Sequence, residues 1–416
     1  MEVYRDRVIL EEVVKEVSFR RDSIEVNRYR GKVLGIRKCV NGCWYITSCQ
    51  DCRDFSELVD RSYLVSSDLC SGLAGAELFS GEVRLGNDCF DEEVITKLVR
   101  DVCSEARGFG VVNCEAVTTF REVRRSLIRD DGSEAREVKY VFEVEVAGMK
   151  LGGGFIKYSS VLKAVIPFRL GDVLKLVDSC LMELRKSLES GGVPKKLPPY
   201  RVGKANLVLS NDAVAALFHE VSHLLDPTYV LSIKYLGTQV GPQELKVYDD
   251  PYNPLTPTYR VFDDEGVRTF RRVLIDGGRV VDTHNTRSTA KLVGSRPGSA
   301  YGLFHKPIPF HTSLVVTGGD WRDSEIIEET KDGYLIDGVV MATLEHGYVR
   351  IVPERAYVIS KGEVRDLISI REVKIPLTKL RSINAIGKSL RPRVSRERDW
   401  LVAEVAPKIR LEGYVY

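Results

Sequence analysis

The chain has 416 residues, of which 44% are hydrophobic and 29% are charged, a composition typical of a globular protein with two or three domains. Lysine and arginine (61) nearly balance aspartate and glutamate (59), and the net charge of +2 argues against a nucleic-acid or membrane partner. No stretch approaches the roughly 18 apolar residues of a transmembrane helix, and the N-terminus lacks the apolar core of a signal peptide, so we expect a cytoplasmic protein.

The first half of the chain mixes helical and strand patterns. Residues 1–20 predict an amphipathic helix, because Val8, Val13 and Val17 recur near helical spacing. The remaining predicted elements, in chain order, are strands at 32–38 and 43–48 joined by an Asn41-Gly42 turn, a helix over 91–110, two strands around Asp130-Asp131-Gly132, and a long helix over 166–192 closed by Gly191-Gly192.

All nine cysteines lie in this half: Cys39, Cys43, Cys49, Cys52, Cys70, Cys89, Cys103, Cys114 and Cys180. A zinc knuckle needs two closely spaced pairs, and only Cys49 and Cys52 have that spacing. Buried thiols or a disulfide of the kind found in thermophiles are the favoured alternatives.

The segment VPKKLPPYRVG (193–203) has three prolines and no periodic apolar pattern, so it predicts a linker. We therefore expect domains at 1–192 and 204–416. The second begins with a strand-like run and a helix over 211–226, stopped by Pro227. From about residue 258 its pattern is strand and turn.

The predicted helix contains His219-Glu220-Val221-Ser222-His223, an HExxH pattern. A spacing of four places both imidazoles on one helix face, where they can bind one Zn²⁺ ion. Glu220 is turned away by about 100°, so it can reach a water on the ion without being a ligand. Zinc would acidify that water, and Glu220 would take its proton as general base.

A core helix that happens to contain two histidines is the alternative explanation. A zinc site also needs a third protein ligand, for which the local sequence gives no signal. Candidates are His284, His305, His311, Glu345 and His346, or a carboxylate near the C-terminus, although each taken singly also suits a loop or strand edge. Asp226 could hold a ligand ring through its free N–H, or could simply form the turn before Pro227.

Several ordered segments resemble the TldD/PmbA family of metallopeptidases of the modulator-of-gyrase type. They are GKVLGIRKCVNGCWYITS (31–48), AVAALFHEVSH (213–223), FDDEGVRTFRRVLIDGGRVV (262–281), STAKLVGSRPGSAYGLFHKPIPFHTSLVVTGG (288–319) and GYLIDGVVMATLEHGYVRIVPERAYVISKGEV (333–364). Together they cover almost the whole chain.

The resemblance implies an α+β protein with a mixed αβ N-terminal domain and a β-rich, barrel-like C-terminal domain carrying the one HExxH helix. It also implies a dimer, either a homodimer or a heterodimer with a paralogue, that encloses the active sites. The implied activity is zinc-dependent cleavage of peptides or unfolded segments, with His219 and His223 as ligands and Glu220 as the catalytic glutamate.

This chain departs from the family pattern at two places. The family commonly has three residues between the glutamate and the second histidine, where this chain has two. Its catalytic subunits supply the third ligand from a cysteine in a C-terminal loop, whereas the matching region here is SLRPRVSRERDWLVAEVAP (389–407) and no cysteine follows Cys180. The alternative function is therefore a non-catalytic partner subunit of an active paralogue.

Overall fold

A computed structural model describes residues 3–41, 43–58, 63–66, 72–152, 155–189, 193–228 and 234–416. Gly42, Cys70 and the predicted helix end at Gly191-Gly192 lie outside these ranges. The chain forms two compact units. The N-terminal unit comprises 1–190, 259–269 and 286–308, and the C-terminal unit comprises 191–258, 270–285 and 309–416. Two segments of the predicted second domain thus belong to the N-terminal unit.

The N-terminal unit is built on one eight-stranded sheet in the order β4-β3-β2-β1-β6-β7-β5, with β8 also paired to β7. Two helices, α1 and α2, pack against this sheet through a shared apolar core. The element bounds are β1 Val3–Arg20, β2 Ser23–Val40, β3 Cys43–Gln50, β4 Tyr63–Ser66, β5 Gly81–Leu85, α1 Glu92–Gly108, β6 Val111–Arg129, β7 Glu134–Gly152, β8 Phe155–Val165 and α2 Leu170–Glu189. A short 3₁₀ helix spans Phe55–Leu58.

The predicted helix over 1–20 is wrong, because this segment forms β1. Val3–Arg20 pairs along its length with β2 on one side and over most of it with β6 on the other. Its apolar residues are mainly β-branched, and such side chains pack well on a pleated surface. Backbone pairing with two neighbours therefore outweighs the helical spacing. The other predicted elements of this half are confirmed, with shifted ends.

Disulfides link Cys49 to Cys52 and Cys103 to Cys114. The first joins two members of the cluster that the sequence left open between zinc, thiols and a disulfide. The second ties α1 to β6, at the centre of the apolar core of this unit.

The C-terminal unit contains a closed barrel and a second sheet. The barrel consists of β17, β10, β24, β20 and β18, which closes on β17. The second sheet has the order β13-β12-β11-β16-β23-β22, so β22 is its edge strand. The helix α3 packs between them, against β17 and β18 on one side and β22, β23 and β16 on the other.

The remaining bounds are β9 Lys195–Lys196, β10 Gly203–Leu209, α3 Asn211–His223, β11 Val247–Asp249, β12 Arg272–Asp276, β13 Arg279–Val280, α4 Arg287–Val293, β14 Ala300–Tyr301, β15 Ile308–Pro309, β16 Ser313–Val316, α5 Asp323–Glu328, β17 Asp332–Glu345, β18 Tyr348–Ser360, β19 Glu363–Ser369, β20 Val373–Pro376, β21 Ala385–Ile386, β22 Arg391–Glu397, β23 Trp400–Ala406 and β24 Ile409–Val415. Short 3₁₀ helices span Pro199–Arg201 and Leu377–Ser382.

The predicted α+β class, with a β-rich and barrel-like C-terminal region, is confirmed. Among the described residues, no helix is long and apolar enough to cross a bilayer.

Candidate metal centre

The HExxH helix, α3, starts at a conventional N-cap. The Ser210 hydroxyl accepts a hydrogen bond from the Ala213 N–H, and Asp212 places negative charge in the first turn. Ten of its thirteen residues are buried, so tertiary packing fixes the helix in place. It ends at His223, three residues before the predicted end, and needs no bulge to bring the two histidines together.

A C-terminal hairpin, formed by β22 and β23, lies against this helix. The Asn211 side-chain amide donates to the carbonyl oxygens of Ser389 and Ala406, both at 2.8 Å. One residue at the start of α3 is therefore bonded to both arms of the hairpin near its base. This anchoring fixes the register between the helix and the side chains of the hairpin.

Glu397 lies close to both histidines of the HExxH helix. The His219 and His223 rings are 5.3 Å apart between centroids. Oε2 of Glu397, the last residue of β22, lies 3.6 Å from His219 Nε2 and 3.7 Å from His223 Nε2. The side chains of His223 and Glu397 are 32% and 22% exposed, so the cluster faces an opening.

Glu404 on β23 lies on the opposite side of the His219 ring. Its Oε1 atom is 2.7 Å from His219 Nδ1, 3.2 Å from His311 Nε2 and 2.8 Å from the Ser395 hydroxyl, and its Oε2 accepts from Arg393 at 3.1 Å. Burial would raise the pKa of Glu404, but the hydrogen bonds from His219 and His311, with the charge of Arg393, hold it well below its usual range. Because an ionised carboxylate only accepts, Nδ1 of His219 carries a proton and Nε2 is left for another partner.

The two HExxH histidines differ sharply in protonation. Burial opposes charge on His219, but Glu397 and Glu404 outweigh it and raise its pKa to about 9. Burial and the positive charge of His219 lower the pKa of His223 to about 4. A single positive charge is thus favoured among these carboxylates, and a bound cation can take the place of that proton.

Glu220 occupies the position expected of a proton acceptor. Its Oε2 atom accepts a hydrogen bond from the Leu344 N–H on β17 at 2.8 Å. Burial, and to a smaller extent the charge of Glu397, raise the pKa of Glu220, although the Leu344 N–H and His219 oppose this. A raised pKa brings a carboxylate closer to the range in which it works as a general base near neutral pH.

Among the described residues, two groups of three side chains each have one donor atom per residue within 4.8 Å of the other two. The groups are His219, Glu220 and His223, and His219, His311 and Glu404. The second is a buried hydrogen-bonded cluster, with contacts of 2.7 and 3.2 Å to Glu404 Oε1. The first combines the two histidines of the HExxH helix with Glu220. Nitrogen and carboxylate donors of this kind suit a zinc ion at that point.

His311 and His284, two candidates for the third ligand, are both completely buried. His311 Nε2 donates to Glu404, and its Nδ1 lies 2.9 Å from the Ser222 hydroxyl, which is also 2.8 Å from the His219 carbonyl oxygen. His284 is fully buried, with its ring centroid 6.0 Å from that of His311.

The other proposed residues lie elsewhere. His305 belongs to the N-terminal unit, where its Nδ1 is 2.8 Å from the Lys306 carbonyl oxygen. Glu345 accepts from Tyr348 and Arg350, both at 2.7 Å, and His346 is exposed in the turn that follows β17. Asp226, the proposed partner of a ligand ring, accepts from the backbone N–H and the hydroxyl of Thr228, as a turn residue does.

Sequence reasoning did not single out Glu397 or Glu404. Both lie on a hairpin that carries no short motif, and 185 residues separate His219 from Glu404. One signal was available, because Glu404 interrupts the apolar run Leu401-Val402-Ala403 and Val405-Ala406. A carboxylate in a buried strand needs a partner, and a histidine is a suitable one.

Comparisons with known proteins show which family the chain belongs to. The family model for the PmbA/TldA metallopeptidase C-terminal domain matches residues 202–415. A metalloprotease of Methanocaldococcus jannaschii is 29% identical over 42% of this chain and 41% of its own length. A metalloprotease of Archaeoglobus fulgidus is 27% identical over 66% of this chain and 63% of its own length. This chain therefore spans less than two thirds of either relative.

A solved structure shares the fold. TldE from Thermococcus kodakarensis superimposes with a TM-score of 0.73 at 15% identity, covering 99% of this chain and 96% of TldE. The matched domain contains the helix, the hairpin and all the donors described above. From this match over half of its length, the chain belongs to the PmbA/TldD metallopeptidase family.

Proposed function

We propose that this chain is a zinc-dependent peptidase that cleaves peptides or unfolded protein segments. The observation that carries the proposal is the grouping of His219, Glu220 and His223, with one donor atom of each within 4.8 Å of the others. The names of the relatives, which are metalloproteases, support the same class of reaction.

The residues of this chain suit the separate tasks of such a reaction. A zinc ion on His219 and His223 would acidify a water molecule and polarise a peptide carbonyl. Glu220 accepts the proton of that water and can return it to the leaving amine. The Leu344 N–H holds one oxygen of Glu220 in place, and the other oxygen would accept that proton.

Metal analysis and one substitution test the proposal together. Protein purified without chelators should contain about one zinc per chain and hydrolyse unstructured peptides. Glu220→Gln should lower the turnover number by roughly 10²- to 10⁴-fold, the usual contribution of a general base, and should leave the zinc content unchanged. Absence of zinc, or an active Glu220→Gln variant, would refute the proposal.

Glu372→Gln is the matched control. This carboxylate is also largely shielded, with 13% of its side chain exposed, but its ion-pair partners are Arg350, Arg371 and Lys374 at 3.4–3.5 Å and not the histidines of the site. The variant should keep both zinc and activity. Hydrolysis by the purified chain alone would also exclude the role of a non-catalytic partner subunit.

A further inference from the structure

We propose that Glu397 is the third protein ligand of the metal ion, so that this chain binds it through two histidines and one carboxylate. This inference rests on the proposed function, because it assumes that a metal ion is bound to His219 and His223. It assigns the donor that no sequence motif marks. It also predicts an oxygen donor in a region where the family resemblance implied a cysteine.

The distances support a shared ion better than hydrogen bonds. Oε2 of Glu397 is nearly equidistant from the two Nε2 atoms, at 3.6 Å from His219 and 3.7 Å from His223. Both separations are longer than a hydrogen bond. Donors bound tetrahedrally to one zinc ion at 2.0–2.1 Å lie about 3.3 Å from each other. The distances from Glu397 Oε2 to the two ring nitrogens are therefore within a few tenths of an ångström of the separation that a common ion requires.

The hairpin directs this carboxylate to the histidines. Side chains alternate along a strand, so Arg393, Ser395 and Glu397 share one face of β22. Arg393 and Ser395 both bond Glu404, which in turn bonds His219, so this is the face turned to α3. Glu397 is the last residue on it and pairs with Trp400 beside the turn.

The other carboxylates near the histidines are engaged differently. Glu404 faces Nδ1 of His219, on the far side of the ring from Nε2. Glu220 is bonded to the Leu344 N–H and is required as a base. Among the described residues, Glu397 is the carboxylate paired with both Nε2 atoms.

Two histidines and one carboxylate form one of the ligand sets of catalytic zinc sites, which keep a fourth position for water or substrate. The partial exposure of Glu397 and His223 leaves that position on the open side of the cluster. A carboxylate is a harder donor than a thiolate. The nature of the donor is thus directly measurable with a spectroscopic metal.

The experiment uses full-length protein loaded with Co²⁺, and zinc affinity from competition with a chelator. Glu397→Ala should weaken zinc binding by more than the 10- to 100-fold that loss of an outer partner costs. Glu397→Cys should restore tight binding and add a thiolate-to-cobalt charge-transfer band that the wild-type protein lacks. Only a side chain that contacts the ion can produce that band.

Asp399→Cys is the matched control, because Asp399 is an exposed acid two residues further along the same hairpin. It adds a thiol without placing it between the histidines, so no charge-transfer band should appear and zinc affinity should stay unchanged. Circular dichroism checks that each variant is folded.

The proposal is overturned if Glu397→Ala binds zinc as tightly as the wild type, or if folded Glu397→Cys shows no charge-transfer band. If Glu397→Ala fails to fold, the Glu397→Cys spectrum decides. These measurements need no substrate. A protein that binds metal through Glu397 but cleaves no peptide would refute the proposed function alone.

Discussion

Nδ1 of His219 lies 2.7 Å from Oε1 of Glu404, a side chain that is only 1% exposed. A carboxylate that accepts a hydrogen bond from the other nitrogen of a metal-binding imidazole fixes the tautomer and the orientation of that ring and makes the ring a better metal ligand. Here the contact turns Nε2 of His219 toward His223 and Glu397. The carboxylate is itself held by Arg393, so the ring is oriented by a network and not by one flexible side chain.

Glu404→Gln should weaken zinc binding by roughly 10- to 100-fold, the usual effect of losing such a partner. Glutamine keeps the shape and one acceptor oxygen but removes the charge that orients and polarises the His219 ring. Competition with a chelator measures the affinity. Thermal unfolding of the metal-free protein, measured in parallel, separates the loss of affinity from any loss of stability.

Glu137→Gln is the control for this substitution. Glu137 is also a buried glutamate held by an arginine, with Arg125 Nε at 2.9 Å, but it lies in the N-terminal unit. Its substitution should change stability without changing zinc affinity. An equal loss of affinity in both variants would contradict the role given to Glu404.

Zinc binding should strengthen as the pH rises. In the metal-free protein Glu397 and Glu404, working against burial, raise the pKa of His219 to about 9, so below that pH the ion must displace a proton from this ring. Release of one proton gives about a tenfold gain in affinity per pH unit. The pKa of His223 is lowered to about 4, so this ring adds no dependence above pH 5. Calorimetry in buffers of different ionisation enthalpy counts the protons, and an affinity that stays constant between pH 6 and 8 would contradict the prediction.

The sequence was sufficient for the parts of the site that depend on local spacing. His219 and His223 lie one turn apart on a helix whose cap, apolar face and stop can all be read within the eighteen residues from Ser210 to Pro227. Glu397 and Glu404 could not be found in this way, because a hairpin from the far end of the chain supplies them. Their position depends on the parallel pairing of β16 with β23, and on Asn211 bonding both arms of the hairpin.

The misassigned first strand shows a second limit of local patterns. Val8, Val13 and Val17 fit a helical period, but Val8 and Val17 are buried because β1 lies inside a sheet between β2 and β6. Periodicity cannot separate the two cases when charged and apolar residues are mixed this closely. The β-branched residues were the better guide, because they prefer strands.

Phe310→Ala should lower both stability and zinc affinity. The Phe310 ring is 3% exposed, and its centroid lies 4.9 Å from that of His223 and 5.5 Å from that of His219. Removing a buried phenylalanine costs about 3–5 kcal/mol, and here it also frees both ligand rings. We expect zinc affinity to fall by about tenfold, near the lower end of the effect of losing a residue that supports a ligand ring.

Phe262→Ala, in the core of the N-terminal unit, is the control. It should lower stability comparably and leave zinc affinity unchanged, so equal affinity losses would contradict the prediction.

Glu265→Gln should make the protein more stable in alkaline solution. Glu265 is completely buried, its Oε2 accepts from the Arg287 N–H, and burial together with the charge of Asp263 raises its pKa to about 8. In the unfolded chain the same carboxyl titrates near 4.3. The stability that the protonated form contributes is therefore complete below about pH 4, and it falls as the pH rises to about 8. Glutamine is neutral at every pH, so the variant should match the wild type at about pH 4 and exceed it by a few kcal/mol at pH 8–9 in urea unfolding. Identical pH profiles for the two proteins would show that Glu265 is ionised in the folded state, and that Arg287 and its neighbours compensate the charge fully.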